Sequence, residues 1–296
     1  MELSLAGWSL DRLFRDEHTP LSLLEFPGFA RDTFDIRAVE LNNIYFTSTD
    51  LDYLDRLMEA TDAAGSTLLN IAVDEKGDLA GHHDGDRLAT VDRYADWIPV
   101  AAELGCRAIR ANSGGRDAKD NDKAVELCID SFRRLADVGM KHEVAILIEN
   151  HWGISSDPAV MTRVTQAVRE THGDLSMFTL VDFGNWPDDV DRYEAIRQTM
   201  PFAGAVHAKV NEIDEQLNHP RFEHARAPDR LQPAVAARNG ERRPLGADAE
   251  RDRAVGRAHL VTHAVVERER SDEGGGRREG DRAVRADGER AVGVAR

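Results

Sequence analysis

Cysteine is nearly absent: Cys106 and Cys128 are the only two in 296 residues. Each sits in an apolar-patterned segment, which excludes a disulfide framework and a thiolate zinc site and leaves both as packing residues. No stretch approaches the roughly 20 apolar residues that a membrane span requires, and the start carries no basic segment followed by an apolar one. A cytoplasmic protein without a membrane partner is therefore expected. Glycine-rich phosphate loops, a Gly-x-Ser-x-Gly elbow and internal repeats are also missing, which removes the common nucleotide-binding and serine-hydrolase motifs. Positive charge is scarce. Residues 1–225 carry 22 Lys plus Arg against 41 Asp plus Glu, while residues 226–296 carry 16 against 13, within a net charge of −16. An acidic surface repels polyanions, so nucleic acid is not expected as a partner. With only five lysines in the chain, the composition also suits a protein kept soluble at high salt.

Up to about residue 215, short apolar runs alternate with segments of helical spacing, the pattern of βαβ units around a parallel sheet. Seven runs are present: Leu3–Trp8, Ala38–Asn42, Thr67–Val73, Arg107–Ala111, Val144–Ile148, Phe178–Val181 and Ala203–Val206. Between them, Leu51, Leu54, Leu57 and Met58, then Leu88, Val91, Ala95, Ile98 and Ala102, then Val125, Cys128, Phe132 and Leu135 recur at helical intervals. Asp157 before Pro158 reads as a helix start, and Gly65, Gly105 and Gly139 read as helix stops. Consecutive right-handed βα units curl toward a closed (β/α)8 TIM barrel, which needs one strand more.

That eighth unit is not legible. From Arg226 onward the chain has no aromatic residue and no lysine but 16 arginines, and the segment 271–288 is too polar to bury a core. The expected organisation is a barrel domain over residues 1–225 with seven βα units, and an Arg/Ala/Gly-rich tail over 226–296. The tail is either a natural disordered basic segment or, the favoured reading, the product of a frameshift in a GC-rich gene. Seven strands would leave two unpaired edges.

Three side chains stand at the outgoing ends of apolar runs: Glu149, Asp182 and His207. Strand ends of a parallel barrel meet at one mouth, so residues 33 and 25 positions apart would face a common point. Alone, each has a bland explanation: a paired Glu, a loop-capping Asp, a satisfied core His. Together they form a carboxylate and imidazole set without thiolate, suited to one divalent ion, Mn²⁺ or Mg²⁺ ahead of Co²⁺ or Zn²⁺. Such an ion polarises a carbonyl and stabilises the enediolate left when a proton leaves the adjacent carbon. Glu149, His151 and Lys209 are the candidates for moving protons. Trp8, Glu40, Arg110, Asn112, Trp152 and Asn185 are the candidates for touching substrate at the same mouth.

The pieces Leu5–Leu10, Ala38–Leu41, Ile148–His151, Val181–Asn185 and Val206–Lys209, in this order and spacing, resemble the xylose isomerase-like TIM-barrel superfamily, the sugar phosphate isomerase/epimerase group. The likeness covers about residues 1–225. It implies a metal held by Glu149, Asp182 and His207 together with a Glu after strand eight, and a small sugar, keto-sugar or polyol as substrate. The fourth ligand does not carry over, because Glu241 lies in a polar, Arg-rich stretch without a preceding apolar strand. The resulting expectation is a metal-dependent isomerase or epimerase, with a homo-oligomer compatible. The alternatives are a catalytically defective barrel or binding protein and, ranked lower, a metal-dependent hydrolase or lyase of the same superfamily.

Overall fold

Seven strands form where the sequence places its apolar runs. They are β1 (Glu2–Ala6), β2 (Ala38–Asn42), β3 (Thr67–Ala72), β4 (Ala108–Ala111), β5 (Ala145–Glu149), β6 (Met177–Asp182) and β7 (Ala203–His207). The computed structural model describes residues 3–75, 77–115, 121–209 and the backbone of residue 2 and of 261–263. Neighbouring strands pair in sequence order and in parallel. An eighth, β8 (Val261–His263), pairs with both β7 and β1 and closes the barrel. The two open edges expected from the sequence are thus covered where β8 runs. The signal was the β-branched pair Val261–Thr262 inside an otherwise Arg-rich tail, and the unpaired ladders of β1 and β7 supply the partners that such a short run lacks locally. Among the described residues, the eighth unit is reduced to this strand. The 225/226 boundary, Glu241 and the segment 271–288 lie outside the described residues.

Eight helices lie among the described residues: α1 (Asp11–Phe14), α2 (Phe26–Phe34), α3 (Leu51–Ala63), α4 (Asp84–Ala95), α5 (Trp97–Glu103), α6 (Asn121–His142), α7 (Pro158–His172) and α8 (Arg192–Thr199). None is long and apolar enough to cross a membrane. At α7 the start signal holds: the Asp157 carboxylate accepts from the backbone N–H groups of Ala159 at 2.8 Å and Val160 at 3.4 Å, with Pro158 at the first position. Gly65 and Gly105 follow α3 and α5 with φ of 63° and 66°. The continuous helix implied by Leu88 to Ala102 is instead two, α4 and α5, divided at Asp96. Pro99 explains the break, since it has no N–H to donate and its ring collides with the carbonyl four residues back, that of Ala95.

Gly139 does not stop the fourth long helix. It lies inside α6, which continues to His142 and ends with Glu143 in the left-handed region at φ 57°. The chain then doubles back, so that Val144 N–H bonds to Gly139 C=O at 2.9 Å. A Cβ at Gly139 would sit 2.4 Å from the Val144 carbonyl oxygen. Gly139→Ala should therefore destabilise the fold, by about 1–3 kcal/mol of overpacking, although alanine in a free helix would gain about 1 kcal/mol. A lowered urea midpoint is the measurement that checks this.

Two apolar layers follow from the pleat, because successive strand side chains face opposite sides. Ile109, Ile146, Ile148, Val181 and Val206 belong to the large cluster packed with the helices. Leu69, Ala108, Leu147, Phe178, Leu180 and Ala205 form a separate cluster inside the barrel. Both cysteines are free and buried.

Candidate metal centre

The inner layer dictates what stands above it. Two residues on from Ala108, Leu147, Leu180 and Ala205, on the same inward face, come Arg110, Glu149, Asp182 and His207. The β6–β7 register sets Asp182 beside His207, and the β5–β6 register sets Glu149 beside Leu180. One ligand atom from each of Glu149, Asp182 and His207 lies within 4.8 Å of the others, and all three residues are buried. His207 Nδ1 is 3.1 Å from Glu149 Oε1 and 3.7 Å from Asp182 Oδ2. Glu149 Oε2 is buried without a hydrogen bond, although it lies 2.9 Å from Arg110 Nε, a contact close enough for an ion pair but not aligned as a hydrogen bond. A buried carboxylate oxygen with coordination capacity to spare, beside a second carboxylate and an imidazole, fits a hard or borderline divalent cation.

The electrostatics are those of an anionic pocket. Burial pushes the Asp182 carboxyl above its ordinary value, and the Glu149 charge adds to this. Burial would raise Glu149 too, but Arg110 and His207 outweigh it and hold that carboxyl well below the usual range. For His207, burial favours the neutral ring, yet Glu40, Glu149 and Asp182 together hold its pKa well above the usual value. Three carboxylates thus surround one imidazole, and added positive charge is favoured there.

The remaining predicted residues divide by depth. Arg110 is 2% exposed, and its Nη1 donates to Asp74 Oδ1 at 2.5 Å, to Val73 C=O at 3.1 Å and to Asn112 Oδ1 at 3.3 Å. Asn112 also donates to Asp74 at 3.1 Å. Glu40 is fully buried against His207 Nε2. Asn185 donates to Glu149 Oε1 at 3.4 Å and accepts from Lys209 Nζ at 3.2 Å, so these two half-buried residues connect the cluster to the mouth. His151 is exposed, and its charge helps keep Glu149 ionised. Trp152 is half-buried. Trp8 lies beyond β1, on a 3-10 turn (Gly7–Leu10), with its ring edge-on to Tyr45 at 5.7 Å.

Two residues escaped the sequence reading. Asp74 follows the third apolar run and so carries the same strand-end signal as the others. Asn150 brackets Asp182, accepting from its N–H at 2.7 Å and donating to its C=O at 2.8 Å. Only the fold reveals that second role, since an amide after Glu149 has no sequence partner to point to.

The family described as xylose isomerase-like TIM barrel matches residues 30–246. Similar solved structures include the D-psicose 3-epimerase of Clostridium cellulolyticum H10 with D-tagatose, at 14% identity over 90% of this chain and 85% of that one, TM-score 0.62. A D-tagatose 3-epimerase-like protein is 13% identical over 72% and 77%, TM-score 0.58. The probable 3-DHS dehydratase AsbF of Bacillus anthracis is 16% identical over 74% and 76%, TM-score 0.54. At these identities the likeness shows the fold. A comparison with curated protein sequences gives no match.

Proposed function

The chain belongs to the xylose isomerase-like TIM-barrel family, and from that premise we propose that it is a divalent-cation-dependent isomerase or epimerase of a small sugar, keto-sugar or polyol. The observation that carries this reading is the convergence of Glu149, Asp182 and His207 within 4.8 Å at the outgoing strand ends. These three would hold the ion, Mn²⁺ or Mg²⁺ by donor hardness. A bound cation of this kind supplies carbonyl polarisation and stabilisation of the charge that proton loss leaves on oxygen.

The protein's own groups divide the remaining work. Glu149 accepts the proton from the carbon beside the substrate carbonyl; Arg110 and His207 keep it ionised, and the same charges weaken it as a base. Asn185 orients Glu149 through the 3.4 Å contact, and Lys209, bonded to Asn185, presents an ammonium at the mouth where a substrate hydroxyl can meet it. His151, exposed at the end of β5, is placed to exchange protons with solvent. Trp8, Asn112 and Trp152 form the wall of the sugar pocket in this reading. Arg110, committed to Asp74 and Glu149, holds the carboxylate in place and does not grip a substrate anion.

A non-catalytic binding protein is the second reading. It is favoured by one observation: among the described residues the ligand group has three members and no fourth carboxylate. The full chain loaded with Mn²⁺ and incubated with ketohexoses in D₂O separates the two. Epimerase or isomerase activity predicts metal-dependent replacement of the proton next to the carbonyl by deuterium, read as a mass increase of the recovered sugar and abolished when EDTA is present during the incubation. A chain that binds Mn²⁺ yet exchanges no C–H proton across the panel is the binding protein.

A further inference from the structure

Glu40 lies on the inner side of β2, 167 positions from His207 in sequence, and both its oxygens reach one nitrogen of that imidazole. The distances from Nε2 are 3.2 Å to Oε1 and 3.3 Å to Oε2. The opposite ring nitrogen, Nδ1, faces Glu149 and Asp182. The imidazole is therefore clamped with two different environments: a wholly buried carboxylate behind it and the prospective cation site in front. Glu40 is not a member of the group whose ligand atoms converge within 4.8 Å. Its placement has a backbone cause as well. The β2–β3 register slips between Val39 and Leu41, so Glu40 sits at an irregularity of the kind that re-aims a side chain beside a functional site.

We propose that Glu40 is a positioning residue, whose carboxylate holds the Nε2–H of His207 and so turns the Nδ1 lone pair toward the cation shared with Glu149 and Asp182. A neutral imidazole has one N–H and one lone pair, and the partner of the first decides where the second points. Carboxylates that accept from the far nitrogen of a ligating histidine fix the tautomer and raise ligand basicity. This gives Glu40 a role exercised through His207, in keeping with its complete burial. The inference rests on the cation reading above.

The test begins with the unmutated chain. With ¹⁵N-labelled histidine and diamagnetic Mg²⁺, long-range proton–nitrogen spectra should show His207 protonated at Nε2 and unprotonated at Nδ1, with His207→Gln providing the assignment. A proton on Nδ1 overturns the proposal. Mn²⁺ titration followed by electron paramagnetic resonance then compares variants whose circular dichroism matches the parent. Glu40→Gln, which keeps an acceptor and loses the charge, should weaken binding about tenfold, and Glu40→Ala roughly 100-fold. Unchanged affinity in both overturns the positioning role while leaving the cation site standing. A parent chain that takes up no Mn²⁺ overturns the cation site itself, and this proposal with it. Should Glu40→Ala fail to fold, the spectrum of the parent and the Glu40→Gln titration still decide.

Discussion

Asp182→Asn should abolish cation binding while leaving the apo fold at least as stable. In a Mn²⁺ titration the affinity is expected to fall by more than the roughly 100-fold at the upper end of outer-shell losses, because a ligand is removed and not merely its support. The amide keeps the size of the carboxylate, and its oxygen can still accept from Gly184 N–H, a bond of 2.7 Å in the parent. Its nitrogen would take the place of the oxygen that faces His207 Nδ1 at 3.7 Å. In EDTA the urea midpoint should stay level or rise, since the substitution removes a buried negative charge next to Glu149, and buried charges are costly unless paired. In excess Mn²⁺ the order should reverse, with the parent gaining stability by mass action and the variant gaining almost none. A structural aspartate would lower the midpoint in both conditions. Equal Mn²⁺ affinity in parent and variant would remove Asp182 from the ligand set.

Why the three candidate ligands were legible while their surroundings were not comes down to the range of the interactions. Glu149, Asp182 and His207 each follow an apolar run, and the pleat fixes which way a strand-end residue points once the run itself is found. Arg110 was legible as a mouth residue by the same rule, but its commitment to Asp74 and Glu149 depends on how β3, β4 and β5 curl. The Glu40–His207 contact spans the barrel interior and no local pattern encodes it. Pro99 was a readable break in the helix that became α4 and α5, overridden by hydrophobic spacing that runs through it unchanged. β8 is the reverse case. Val261–His263 is too short to stand out in its Arg-rich context, and it becomes a strand through the two ladders that β1 and β7 leave open.

Arg110→Met should cost about 3–5 kcal/mol of apo stability, the range for removing one partner of a buried ion pair. Methionine approximates the length of the arginine stem and leaves little void, so the loss is electrostatic. Arg110 and Glu149 are each 2% exposed in their side chains, whereas Asp74 is 21% exposed and can recover solvent. Glu149 loses its guanidinium and keeps only His207 as a close cationic neighbour, 3.1 Å away, so it carries most of the loss. Arg110→Lys should restore only part, because one ammonium cannot reproduce a fork that reaches Asp74 through Nη1 and Glu149 through Nε. Divalent cation offers a sharper check. Mn²⁺ at 100 times its Kd stabilises any one-site protein by about 2.7 kcal/mol; in Arg110→Met it also replaces the lost positive charge beside Glu149, so binding should tighten relative to the parent. Urea denaturation in EDTA and in Mn²⁺ reads both effects. Had Arg110 instead served to grip a substrate anion, the variant would keep its apo stability within about 0.5 kcal/mol, as substitutions away from such buried contacts do, and only KM would rise. A large loss in EDTA that Mn²⁺ partly repairs is the outcome that a guanidinium bound to the protein's own carboxylates requires.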